Sequence, residues 1–117
     1  MRVIVAGWIR FASAEIAGKA IRAGADLIVE SRTETGCVAY NWSVDPLDDG
    51  KAHVFEEWES EQDLLRHLRH RSYTQMRDQL AQHELSDFDI KLYSVAGIEP
   101  VYDEEGQART TIFGVSL

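Results

Sequence analysis

Cys37-Val38-Ala39-Tyr40-Asn41-Trp42-Ser43-Val44-Asp45, Pro46-Leu47-Asp48-Asp49-Gly50 and Lys51-Ala52-His53-Val54-Phe55-Glu56-Glu57-Trp58 decide the fold. Cys37 to Asp45 reads as a strand, with Val38, Tyr40, Trp42 and Val44 on one face and Ala39, Asn41 and Ser43 on the other. Successive side chains of an extended chain point to opposite sides, and β-branched and aromatic residues suit that surface. Asp45 to Gly50 is turn chemistry: proline fixes one backbone angle, aspartates bond to nearby backbone N–H groups, and glycine takes conformations closed to other residues. The strand Lys51 to Trp58 follows at hairpin distance, and parity puts Glu56 and Trp58 on one face of it.

Upstream, Val3 to Phe11 is apolar on both alternating sets, Val3, Val5 and Ile9 against Ile4, Ala6 and Trp8, as in a strand buried on both faces. Ser13 is placed to cap an amphipathic helix that runs to about Arg32, with Ala17, Ala20, Ile21, Gly24, Leu27 and Ile28 at helical spacing. Downstream, Ser60 with Asp63 and Ser72 with Gln75 form two capping-box patterns, each opening a short helix. Leu64, Leu65 and Leu68 face inward from the first of these, and Tyr73, Met76 and Leu80 from the second. A last strand, Phe88 to Val95, alternates Phe88, Ile90 and Leu92 against Asp89, Lys91, Tyr93 and Val95.

The order is βαββαβ with the second helix split in two, which is the ferredoxin-like α+β arrangement: an antiparallel sheet with helices on one face. Such a sheet leaves its other face bare. Because the first strand is apolar on both sides, the bare face requires an apolar partner, and a second copy of the chain satisfies that requirement. A homodimer is therefore expected. The competing arrangement is a monomer whose tail folds back over the sheet. Residues 1–98 make the domain on this reading, and 99–117 a tail with a hairpin around Asp103-Glu104-Glu105-Gly106 that contributes to the dimer.

At 117 residues the chain suits one domain with one core, and the two prolines, Pro46 and Pro100, both fall between periodic segments. Twenty acidic residues against twelve basic ones give a net charge of −8, which repels nucleic acid and anionic lipid alike. Neither is expected as a partner. The one basic cluster, Arg66, Arg69, His70 and Arg71, reads as a solvated helix face. Cys37 is alone, so no internal disulfide forms, and the stretch Val3 to Ile9 is too short to span a membrane. The expected compartment is the cytoplasm.

Glu34-Thr35-Gly36-Cys37-Val38-Ala39-Tyr40, Asp45, Phe55-Glu56-Glu57-Trp58-Glu59-Ser60 and Leu65-Arg66-His67-Leu68 together resemble the pattern of the antibiotic biosynthesis monooxygenase family, over about residues 2–98. The branch most resembled is that of the small quinol monooxygenases. The resemblance implies a dimeric α+β barrel with a pocket between the sheet and the helices of each subunit. It implies too a reaction without cofactor or metal, in which dioxygen oxidises a quinol or phenolic aromatic. The chemistry is physically coherent: a deprotonated hydroquinone is itself the reductant for dioxygen, so the protein need only bind, deprotonate and shield it.

His67 and Glu56 match the family's histidine and glutamate. His67 titrates near neutrality when unperturbed, and Glu56, if buried, either pairs with a cation or titrates upward into the range of a usable base. A structural role, with His67 bonded to Glu56 inside the core, explains the same two residues. Trp58, Trp42, Tyr40 and Tyr73 suit an aromatic lining for a flat substrate, and core filling accounts for them as well. Asn41 has the parity opposite to Trp42, and Cys37 reads as a small buried hydrophobe. Haem-degrading relatives carry an asparagine on the first strand and a histidine on the last helix; Gly7 and Arg77 stand at the matching positions, and His53, His70 and His83 are scattered. Haem breakdown is not expected. Two further readings stay open: a non-catalytic small-molecule-binding dimer, and a cofactor-free isomerase or cyclase that uses the same base without dioxygen.

Overall fold

A computed structural model describes residues 1–117. Four strands, β1 (Val3–Arg10), β2 (Cys37–Val44), β3 (Lys51–Trp58) and β4 (Asp87–Ser94), form one sheet in the order β2-β3-β1-β4. Every neighbouring pair is antiparallel. The helices are α1 (Ala14–Ala23), α2 (Ala25–Arg32), α3 (Glu61–Leu68) and α4 (Arg71–Ala81). This is the expected ferredoxin-like α+β fold, with one open four-stranded sheet rather than a closed barrel.

The core lies between the helices and one face of the sheet. Val3, Val5 and Ile9 of β1, Ala52, Val54 and Trp58 of β3, and Tyr40 of β2 meet Ala17, Ala20, Ile28, Leu64, Met76 and Leu80 of the helices. On the other face Ile4, Ala6 and Trp8 are only half-buried, while Phe55 and Tyr93 are exposed. Within one chain, then, β1 is buried on a single face.

Four local expectations need correction. The helix expected to run from Ser13 to Arg32 breaks at Gly24, which ends α1 and begins α2. A Cβ at Gly24 would stand 2.3 Å from the Met76 sulfur, so the missing side chain is what lets α4 pack against the junction. Ser72 does not cap α4. His70 does, its Nδ1 accepting the Ser72 backbone N–H at 3.1 Å, and Ser72 is thereby drawn inside the helix and fully buried. Leu65 is exposed rather than inward, because an eight-residue helix that buries Leu64 and His67 turns the intervening position outward. Val38, expected beside Tyr40, sits at a bulge between Cys37 and Ala39 and is exposed, while Cys37 pairs with Trp58. The Ser60 cap is as expected, accepting the Asp63 N–H at 3.2 Å, and Ser13 likewise accepts from Ile16 at 3.2 Å.

Beyond β4 the tail carries an isolated bridge between Tyr102 and Ala108 around the Asp103–Gly106 turn, then the small hairpin of β5 (Thr111–Ile112) and β6 (Val115–Ser116). Asp103 shapes that turn by accepting the Glu105 and Gln107 N–H groups.

Candidate active site

Between the sheet and the helices lies a cavity of about 530 Å³, of whose 17 lining residues 15 are hydrophobic. The two that are not are Glu56 and Arg77. β1 supplies Val5 and Ile9, α3 supplies Leu64 and Leu68, and α4 supplies Tyr73, Met76 and Leu80. One wall is edge strand β4, where Phe88, Ile90 and Leu92 share a face and remain exposed. That wall extends beyond the cover of the helices.

Glu56 is 8 % exposed and reaches this cavity from β3. Its Oε1 accepts the indole N–H of Trp58 at 3.0 Å, a contact between residues on one strand face. Burial raises the carboxyl to about 7, against the Trp58 hydrogen bond, which acts to lower it; the nearby charge of Glu34 adds to the rise. A carboxyl balanced in this way is part ionised near neutrality and can both take and give a proton.

His67, 1 % exposed, lies behind Glu56 and does not line the cavity. Its ring lies over Trp58 at a centroid distance of 4.7 Å and meets Tyr40 and Tyr73 edge-on at 5.6 and 5.9 Å. Glu56 is not its hydrogen-bond partner: His67 Nε2 stands 3.8 Å from Glu56 Oε1 and has no hydrogen bond. The bonded nitrogen is Nδ1, 3.1 Å from Glu34 Oε1. The Ser72 hydroxyl donates to Glu34 Oε2 at 2.6 Å and completes the triad. Burial lowers the imidazole pKa, and the charge and hydrogen bond of Glu34 oppose that shift. An unbonded buried nitrogen costs roughly 1–3 kcal/mol. Glu34 was not singled out from the sequence as a site residue, although it opens the Glu34-Thr35-Gly36-Cys37 segment; nothing in a linear pattern joins it to a histidine 33 residues away.

Of the aromatic candidates, Tyr40, Trp42 and Tyr73 line the cavity, whereas Trp58 is wholly buried and supports Glu56 and His67 from behind. Tyr40 accepts the Trp42 indole N–H at 3.0 Å, and its own hydroxyl is pushed up to about 12 by burial. Tyr40 thus remains a neutral phenol. Asn41 points elsewhere, accepting from Arg32 at 2.9 Å. Cys37 is half-buried against the core, and desolvation raises its thiol above the ordinary value. Arg77 borders the cavity with its guanidinium 5.7 Å from the Tyr73 ring centre. At Gly7 a Cβ would lie 2.1 Å from the Asp89 carbonyl oxygen, so this backbone has no room for an asparagine there. Of the other histidines, His53 pairs with Asp45 and His83 with the Gln79 carbonyl, while His70 caps α4 with its Nδ1 also 3.0 Å from the Ser72 hydroxyl.

Comparison with solved structures finds the same fold in several proteins. A Deinococcus radiodurans protein described as a candidate antibiotic biosynthesis monooxygenase is 27% identical, with a TM-score of 0.75 over 86% of this chain and 99% of that one. Rv0793 from Mycobacterium tuberculosis is 23% identical, with a TM-score of 0.70 over 86% of this chain and 100% of that one. SnoaB, a cofactor-independent oxygenase from Streptomyces nogalater, is 13% identical, with a TM-score of 0.64 over 85% and 97%. No curated protein matches the sequence. The model of the antibiotic biosynthesis monooxygenase family matches residues 8–79, more than half of the chain. With that match, and with the βαββαβ sheet that accompanies it, the chain belongs to the antibiotic biosynthesis monooxygenase family.

Proposed function

We propose that this protein is a cofactor-independent monooxygenase that oxidises a quinol or phenolic aromatic with dioxygen. The observation that carries the reading is Glu56, a carboxyl held near neutral pH at the wall of an otherwise almost wholly apolar cavity. Tyr40, Trp42 and Tyr73 hold the substrate ring, and Glu56 takes the proton of its hydroxyl. Trp58 fixes Glu56 by its N–H, and His67 shares the proton from behind. The resulting phenolate passes an electron to dioxygen, and radical recombination forms the new C–O bond. Loss of the ring C–H proton and cleavage of the O–O bond then give quinone and water. A phenol and one dioxygen enter; one quinone and one water leave. The apolar walls favour a neutral aromatic and keep water from the reduced oxygen species.

Oxygen uptake with a panel of hydroquinones and hydroxylated naphthalenes, in the presence of a metal chelator, tests this. Uptake that persists with chelator and drops at least a hundredfold in His67→Ala is the expected result. No uptake above the uncatalysed rate on any member would overturn the reading in favour of a binding protein or a cofactor-free isomerase.

In the same reading the protein works as a cytoplasmic homodimer. The half-buried Ile4, Ala6 and Trp8 and the exposed Phe55 support a second copy against the open sheet face, and no helix is long and apolar enough to cross a membrane. The tail extends across that dimer: its Val101, Phe113 and Val115 are exposed in the single chain. The radius of gyration of 16.3 Å exceeds the value of about 13 Å typical of a compact chain of this length. Truncation after Gly97 is expected to weaken the dimer in light scattering, and an unchanged dimer would remove the tail from the interface.

A further inference from the structure

His67 separates two unlike spaces. On its Nε2 side is the apolar cavity, reached through Glu56. On its Nδ1 side is a smaller cleft of about 290 Å³ with no hydrophobic residue in its lining, where Glu30, Glu34, Asp63, Arg66 and His70 meet solvent. Glu34 belongs to both the cleft and the imidazole, lying 3.1 Å from Nδ1 while its side chain is 16% exposed. Beyond it the polar groups continue outward: His70 Nδ1 lies 3.9 Å from Glu34 Oε2, and Glu30 lies 3.9 Å from His70 Nε2.

The contacts set the tautomer. Ser72 already donates its hydroxyl proton to Glu34, so the carboxylate is the acceptor for its neighbours, and His67 Nδ1 must bring the second proton. In the neutral ring Nε2 is then a bare lone pair, buried without a partner and aimed at Glu56 across 3.8 Å. That gap lies outside the hydrogen-bond range of about 2.7–3.2 Å.

We infer that Glu34 positions His67 as the Nδ1–H tautomer and forms the exit of a proton path from the cavity to the polar cleft, so that substrate and proton use opposite sides of the imidazole. The inference rests on the oxygenase reading for its direction of flow. The substrate hydroxyl gives its proton to Glu56; Glu56 gives a proton to His67 Nε2; the Nδ1 proton passes to Glu34 and from there to water in the cleft. The imidazole is left as the Nε2–H tautomer. When the reduced oxygen requires a proton to depart as water, the steps run in reverse and restore the starting tautomer. One proton leaves and one returns, with no net change in the protein.

The groups that bear on this path from each packed element are Glu30 of α2, Glu34 of the loop before β2, Tyr40 of β2, Glu56 of β3, Asp63 and Arg66 of α3, the capping His70, and Tyr73 of α4. Glu34 touches no part of the cavity and so is a positioning residue. Its role is tested first on the wild-type protein by 15N NMR of the imidazole. The Nδ1–H form is expected for His67, and a predominant Nε2–H form would overturn the inference, whether or not any variant folds. In Glu34→Gln, an isosteric change, kcat is expected to fall at least tenfold with KM within twofold, and added formate, a small base able to enter the cleft, to restore part of it. Exchange of the His67 ring proton with solvent is expected to slow in the same variant. Unchanged kcat and unchanged exchange would overturn the path. Should the wild type oxidise no hydroquinone, the oxygenase reading fails alone, and tautomer and ring-proton exchange decide the path by themselves.

Discussion

Glu56 and Glu34 stand on opposite sides of one imidazole ring, and the same side chain is put to opposite use. Glu56 projects from the middle of a hairpin strand into an apolar cavity, with one hydrogen bond, from an indole, to hold its charge. Glu34 sits in the turn that precedes β2, receives the Ser72 hydroxyl, lies within hydrogen-bond distance of the imidazole Nδ1, and opens to a wholly polar cleft. Position in the fold, rather than chemistry of the residue, separates a carboxyl that faces an apolar cavity from one that anchors a ring. The difference follows from how many donors reach each carboxylate and how much water surrounds it.

Glu56→Gln gives the largest break in that comparison. The amide preserves the contact with Trp58 but carries no proton away, so kcat on a reactive quinol is expected to fall by about 10²–10⁴-fold, the usual contribution of a general base. Retained turnover within a factor of a few would mean that the base lies elsewhere.

Stability against pH sharpens the comparison by a smaller amount. Burial lifts the Glu56 carboxyl from an ordinary 4.5 to about 7, so between those values the folded chain holds a proton that the unfolded chain has released. Its contribution is fully favourable below the lower value and is lost as pH rises through the upper one, on the order of 3 kcal/mol in all. Denaturant midpoints at about pH 5 and about pH 8 are expected to drop further in the wild type than in Glu56→Gln. Equal drops would show that the folded carboxyl is not held near neutrality.

The hairpin from Cys37 to Trp58 was legible because alternation and a proline-glycine turn are local signals, and it placed Glu56 and Trp58 on one face, where they lie. Capping by Ser13 and Ser60 was legible for the same reason. What escaped was set by distant parts of the chain. Gly24 looked like a helical position until the Met76 side chain came within reach of it, and Ser72 looked like a cap until His70 took that place and a carboxylate from another segment claimed its hydroxyl. The Val38 bulge shifted the parity of β2 by one residue at its start, which alternation alone does not reveal. His67 and Glu56 were rightly expected close together, but the sequence offered Glu56 as the bonded partner and left Glu34 as part of a motif without a task.

Trp58 gives the arrangement a mechanical property. One rigid indole holds Glu56 by its N–H edge and supports His67 on its ring face, with no exposed surface of its own. It behaves as a gauge block between a strand and a helix. Carboxylate, indole and imidazole are thereby packed as one stack, in which close packing of the indole ties the spacing of the two titratable groups to the contact between β3 and α3.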